Sequence, residues 1–167
     1  MGVSESPLPI VEQIRNHPLY RERFARINEL EGNRDFCRHG IVHLLDVARI
    51  AYIFTLERNL GFPKEVVYAA ALLHDIGKGE QYENGTPHEL AGAEIARAIL
   101  ADIDALGSVD KAAIVAAVRE HRRYSDMASP LGKLLYEADK ASRACYACLE
   151  CDACSWSDEK KNHGIAV

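Results

Sequence analysis

Imidazole and carboxylate side chains recur along this chain where a helix would aim them inward: His43, the adjacent pair His74 and Asp75, His88, His121 and Asp139. Such groups bind divalent cations. A set without thiolate suits Fe, Mn, Zn, Ni or Co and leaves positions open for water and substrate oxygens. The stretch His74-Asp75-Ile76-Gly77-Lys78 closes an apolar run, Val66 to Leu73. Adjacent residues within a helix point about 100° apart, so His74 and Asp75 converge on one centre only where the helix terminates. Gly77 is expected to supply that stop by taking the left-handed conformation, and Lys78 places a cation where a bound anion would be welcome. Taken alone, a buried histidine paired with a capping aspartate fits the pentapeptide equally well. A second group, Cys145, Cys148, Cys151 and Cys154, forms C-x2-C-x2-C-x2-C, a spacing compatible with a structural zinc or iron–sulfur site. As a helix extension, this run would bring Cys145 and Cys148 together while Cys151 and Cys154 drift round. Four-ligand binding would then need a break near Glu150, with Cys37 able to replace one ligand. Inert thiols fit the run as well.

The elements that must position these groups read as helices. Ser6-Pro7-Leu8 opens a short helix to about Asn16, and Pro18 restarts the chain for a second, Leu19 to Leu30. A helix from about Gly40 to Arg58 carries Val47, Ile50 and Phe54 on an apolar stripe that includes His43, where an unpaired imidazole is costly. His39, one turn earlier, reads as a solvated residue at the helix start. Pro63 begins the segment that runs to His74, with Val67, Ala70 and Ala71 on the same face. A polar loop is expected from Lys78 to Gly85. Thr86-Pro87-His88-Glu89 then reads as a capping box opening a helix to about Leu100, which holds His88 at an N-terminus. Ser108 caps a helix whose core face, Ile114, Ala117 and Val118, ends in His121. Ser129-Pro130 starts the last long helix, whose buried side, Leu131, Leu135 and Ala138, is extended by Asp139. A carboxylate on a core stripe is unusual without a cation or strong donors.

The 167 residues suit one structural domain with a sizeable core. Hydrophobic content of 48% with only 7% aromatic residues, and few alternating runs, favours an all-α fold, and one buried cluster would account for the histidines and aspartates that its helices carry on their apolar stripes. A net charge of -5 argues against a duplex nucleic-acid surface. No window approaches the roughly 18 apolar residues of a membrane span, and the first ten residues lack the pattern of a secretory signal, so a cytoplasmic enzyme is expected. Cysteines crowded between 145 and 154 do not resemble a secreted disulfide framework.

The order His43, His74-Asp75, His88, His121, Asp139 resembles the HD-domain superfamily of metal-dependent phosphohydrolases. The match covers about residues 36–143 and is most specific at HLLDVARIA (43–51), LLHDIGK (72–78) and LLYEADKASR (134–143). Residues 1–35 would pack on this catalytic core, and 144–167 would form a cysteine-rich tail. The resemblance implies that His43, His74, Asp75 and Asp139 ligate one metal, and that Asp75 bridges to a second held by His88 and His121. It implies one or two divalent ions, iron or manganese favoured, with zinc, nickel, cobalt or magnesium as further options. The expected reaction is hydrolysis of a phosphoester or phosphoanhydride of a nucleotide or another small phosphorylated substrate. The arrangement is similar to small bacterial stand-alone hydrolases, including those cleaving diadenosine tetraphosphate. A metal-activated water would attack phosphorus in line. Asp75 and Lys78 are the expected catalytic residues, and Lys78, Arg122, Arg123 and Lys140, adjacent in sequence to presumed ligands, are the candidate phosphate contacts. The competing class is a sensor module that binds metal and nucleotide without turnover.

Overall fold

Alanine-rich, apolar sequence produces a helix that can be buried on every side, and the chain is wound around one. In the computed structural model, which describes residues 8–167, α4 (Lys64–Leu73) has Val66, Val67 and every residue from Ala69 to Leu73 buried. Its alanines let neighbours approach closely, and α4 packs against α1 (Pro9–Asn16), α3 (Ile41–Glu57), α7 (Ser108–Glu120) and α8 (Pro130–Ala141). The remaining α-helices are α2 (Pro18–Leu30), α5 (Lys78–Asn84) and α6 (His88–Ala101), and no strand occurs among the described residues. Ser6 and Pro7, at which the first helix is expected to open, lie outside them. Val47, Ala51 and Phe54 of α3, Ala96 and Ile99 of α6, Ile114 and Val118 of α7, and Leu135 and Ala138 of α8 complete the core. The Glu65 carboxylate accepts the Ile10 and Val11 N–H groups (2.7 and 3.1 Å), so α4 caps α1 and fixes its entry.

Several local expectations are corrected. The polar stretch from Lys78 is helical, because contacts with α2 substitute for an apolar stripe: Glu80 pairs with Arg23 (2.7 Å), Glu83 with Arg26 (2.5 Å), and Gly79 is buried. The capping box at Thr86 does not form. Thr86 donates its hydroxyl to Asn84 (2.6 Å), Glu89 takes Arg122, and Pro87 occupies the cap. Gly107, not Ser108, precedes α7, whereas Ser129 caps α8 as expected by accepting the Gly132 N–H (3.1 Å).

Beyond α8 the chain does not continue as a helix that breaks near Glu150; the α-helix ends at Ala141. The chain then runs through a succession of tight turns in which Cys148, Cys151 and Cys154 each donate an N–H to the carbonyl of the cysteine three residues earlier (3.2, 3.3 and 3.4 Å). Asn162 returns to the end of α8 and donates to the carbonyls of Ala141 and Arg143 (3.0 and 2.9 Å), tying the segment down.

Candidate metal centre

The buried end of α4 delivers the His-Asp pair to the middle of the bundle. His74 keeps helical dihedrals and Asp75 comes next, in a turn closed by Lys78 N–H to Asp75 C=O (2.9 Å). Gly77 is not left-handed; its φ and ψ are -87° and 5°. Glycine is required there by proximity, because a β-carbon would collide with the His88 carbonyl and the Gly92 amide of α6. This backbone contact sets the first turn of α6, and with it His88, beside Asp75.

The side chains then converge. Asp75 Oδ2 lies 3.5 Å from His43 Nε2 and 3.0 Å from His74 Nε2, while Asp139 Oδ1 lies 3.4 and 3.8 Å from the same two nitrogens. The other oxygen, Asp75 Oδ1, faces His88 Nε2 at 3.5 Å and His121 Nε2 at 3.6 Å. His43, His74, Asp75 and Asp139 therefore form one group able to hold a cation, and Asp75, His88 and His121 a second, with the carboxylate of Asp75 common to both.

Hydrogen bonds on the far side of each ring fix which nitrogen faces inward. His74 Nδ1 donates to the Ala71 carbonyl (2.6 Å), His121 Nδ1 to that of Val118 (2.7 Å), and His88 Nδ1 to Gln81 Oε1 (2.5 Å). His43 Nδ1 faces Ser142 Oγ at 3.3 Å; that hydroxyl spends its own proton on the Asp139 carbonyl and is left to accept. Arg143, which can only donate, reaches His43 Nε2 at 2.9 Å, so the inward nitrogen carries the lone pair. Each histidine thus aims Nε2 at the centre as a metal-ligating imidazole does, oriented by an oxygen behind it.

The donor set fits a cation on two further counts. His74 Nε2 is buried with no hydrogen-bond partner among the described residues, and the Nε2 atoms of His88 and His121 face each other at 3.2 Å. Electrostatics agree. Burial opposes ionisation of Asp75 and Asp139, yet His74 and Lys78 around the first, and His43, His74 and Lys140 around the second, hold both well below the usual carboxylate range. Burial also disfavours a charged His74, but Asp75 and Asp139 outweigh it and push that group up to about 10. Burial, aided by Lys78, His121 and Arg122 against the pull of Asp75, brings His88 down to about 2 and leaves its imidazole neutral. Two buried carboxylates accordingly demand positive charge, and His88 offers a free lone pair.

Above the centre lies a cavity of about 350 Å³. Its wall carries Arg34, Lys78, Arg122, Lys140, Arg143 and Lys160, a concentration of cations on a chain whose net charge is -5. Lys78 Nζ is 3.8 Å from Asp75, Arg122 is held by both oxygens of Glu89 (3.1 Å each), and Lys140 pairs with Asp139 at 2.6 Å. Arg123, expected beside Arg122 among the phosphate contacts, is exposed in the turn after α7 and does not line this cavity; the turn carries Arg122 inward and its neighbour outward. A larger groove of about 660 Å³ reaches His43 but not Asp75.

His39, whose place one turn before His43 allows either a solvated helix start or a metal shared with His43, is buried. The Glu31 carboxylate accepts the His39 amide (2.7 Å), its Nδ1–H and the Tyr82 hydroxyl (2.5 Å), and turns His39 Nε2 toward Asp75 at 3.8 Å. Although burial opposes it, these donors bring Glu31 down to about 2. Arg34, Arg143, Trp156 and Lys160 line the cavity without a sequence pattern to mark them, apart from the place of Arg143 inside the stretch LLYEADKASR. The cysteines stand apart from the histidine cluster and line a neighbouring cavity.

Residues 40–144 match the model of the HD domain family. An uncharacterized protein of Clostridium beijerinckii is 43% identical over 152 residues, covering 91% of this chain and 95% of that one. Ribonuclease Y of Mycoplasma mycoides is 25% identical over 140 residues, but the match spans only 31% of that longer protein. A crystal structure of a predicted HD superfamily hydrolase from an uncultured Thermotogales bacterium superposes with a TM-score of 0.60 at 24% identity, over 91% of this chain and 86% of that one, a likeness of fold.

Proposed function

Because this chain belongs to the HD domain family, we propose that it is a metal-dependent phosphohydrolase acting on a nucleotide or another small phosphorylated molecule, with residues 36–143 as its catalytic core. The observation that carries the reading is the juxtaposition of a buried two-part histidine–aspartate centre with a cation-walled cavity opening onto it. The volume of that cavity, about 350 Å³, is of the size that holds a small molecule.

His43, His74, Asp75 and Asp139 would hold one ion, and Asp75, His88 and His121 a second; iron and manganese suit this oxygen–nitrogen set. Divalent cations bound there supply Lewis acidity, which brings the pKa of water toward neutrality and offsets charge growing on phosphate. The chain's own groups do the rest. Lys78 and Arg143 line the cavity beside the centre and would bind non-bridging phosphate oxygens, with Arg122 contributing while Glu89 fixes the plane of its guanidinium. Lys140, drawn to Asp139, orients that carboxylate and adds positive field. His39, whose Nδ1–H is held by Glu31, presents the Nε2 lone pair to the same space and can accept a hydrogen bond from a substrate hydroxyl or a water.

Purified protein reconstituted with manganese or ferrous iron is expected to release phosphate or nucleotide from one member of a panel of nucleotides, dinucleoside polyphosphates and phosphomonoesters. Metal and nucleotide binding without product release, under every metal tried, would instead identify a sensor module.

A further inference from the structure

All five cysteines of the chain, Cys37 with Cys145, Cys148, Cys151 and Cys154, line one cavity of about 130 Å³. Turn geometry explains the convergence. A 3₁₀ turn over Cys145–Ala147 ends at Cys148, which is extended, and two further turns follow; in each of the three turns a cysteine N–H reaches the carbonyl of the cysteine three residues earlier, so successive cysteines stand within the short span of one tight turn. A spacing that would scatter four thiols around an α-helix instead links them turn by turn, and all four reach the same cavity. Cys37, far away in sequence and just before the first metal-bearing helix, joins the same wall.

We infer that this cavity is an iron–sulfur site, a [4Fe–4S] cluster held by four of the five thiolates, separate from the histidine–aspartate centre. The room between the sulfurs favours the cluster over a single ion. Tetrahedral zinc at about 2.3 Å from each sulfur needs ligand atoms about 3.8 Å apart. Among the described residues no three cysteine sulfurs lie within 4.8 Å of one another; they surround a space instead of closing on a point. A cluster interposes its own irons and sulfides and so requires such a space. Charge agrees as well, since a cluster on four thiolates is anionic and Arg34, Lys78, Arg143 and Lys161 stand in the wall. The site would also act on its neighbour: Trp156 lines both cavities and sits under Lys140 (4.7 Å from ring centre to Nζ), so a cluster would hold the outer wall of the cation-lined pocket.

The test does not depend on hydrolysis, because the histidine–aspartate centre binds no sulfide. Protein purified without oxygen, or reconstituted with ferrous iron and sulfide, is expected to contain about four acid-labile sulfides per chain, with the broad visible absorbance of iron–sulfur charge transfer. Cys145→Ser combined with Cys148→Ser leaves three cysteines, too few for four thiolate ligands. This variant should lose sulfide and absorbance while keeping its helical circular dichroism and its histidine-site metal. The single tryptophan, Trp156, should brighten as the quenching cluster leaves. Absence of labile sulfide from both preparations of the unmodified chain, or stoichiometric zinc that the double variant loses, would overturn the assignment.

Discussion

The histidine–aspartate centre and the cysteine-lined cavity share Lys78, His39 and Arg143 as a common wall, yet they are built by opposite means. The first hangs from α3, α4, α6, α7 and α8, and its donors extend the apolar stripes that make the core; position is a consequence of packing. The second hangs from turns after α8, with Cys148 and Cys37 exposed, and is shaped by backbone bonds, the Asn162 anchor and the Trp156–Lys140 contact. A centre carried by core helices comes with its geometry set by folding, whereas one carried by turns needs what it binds to complete its order.

Chelation should separate the two most sharply. Stripping divalent metal from the histidine–aspartate centre is expected to lower hydrolysis by roughly 10³-fold or more, restored by manganese or ferrous iron, with no change in helical content because the core is apolar without it. Circular dichroism beside the activity assay checks this; loss of helix on chelation would mean that the centre, too, is organised by its metal. A subtler dependence lies behind one ligand. Gln81→Ala removes the acceptor for His88 Nδ1–H, frees the tautomer, and should weaken metal binding at the His88–His121 half by about 10 to 100-fold, as read by metal titration, with the other half unchanged.

Much of the centre was legible because its residues obey helical periodicity. His43 falls in step with Val47, and His121 with Ala117 and Val118, so a polar group on a core stripe announces itself. The features that escaped are those set by partners distant in sequence. Gly77 carries no mark of the α6 backbone that crosses it, so a conformational role was expected where a steric one operates. His39 sits in a connection without periodicity, and its burial depends on Glu31 and Tyr82 together. Helix α5 has no apolar stripe to betray it, being held by ion pairs to α2. The three-residue cysteine spacing was visible, but its meaning changes with the turn type, which side-chain pattern does not specify.

Gly77→Ala probes the steric role. A β-carbon pressed into the α6 backbone should cost about 1–3 kcal/mol in thermal or denaturant unfolding, since neither main chain can yield cheaply; a neutral outcome would show that α6 has room to move. The smallest expected effect concerns acid stability. Glu31 ionises at about 2 in the folded chain, below its ordinary value near 4.5, so its contribution is full above the ordinary value and is lost as pH falls through about 2. Glu31→Gln should therefore be less stable than the unmodified chain at neutral pH, with the gap closing as the pH is taken down toward 2. A gap independent of pH would reassign the effect to packing.

Asp75 joins both halves of the proposed metal centre, and elemental analysis of Asp75→Ala puts that role to the test. The variant should be a folded protein, helical by circular dichroism, that retains neither the ion of the His43–His74–Asp139 half nor that of the His88–His121 half. Undiminished metal in folded Asp75→Ala protein would contradict the bridging role.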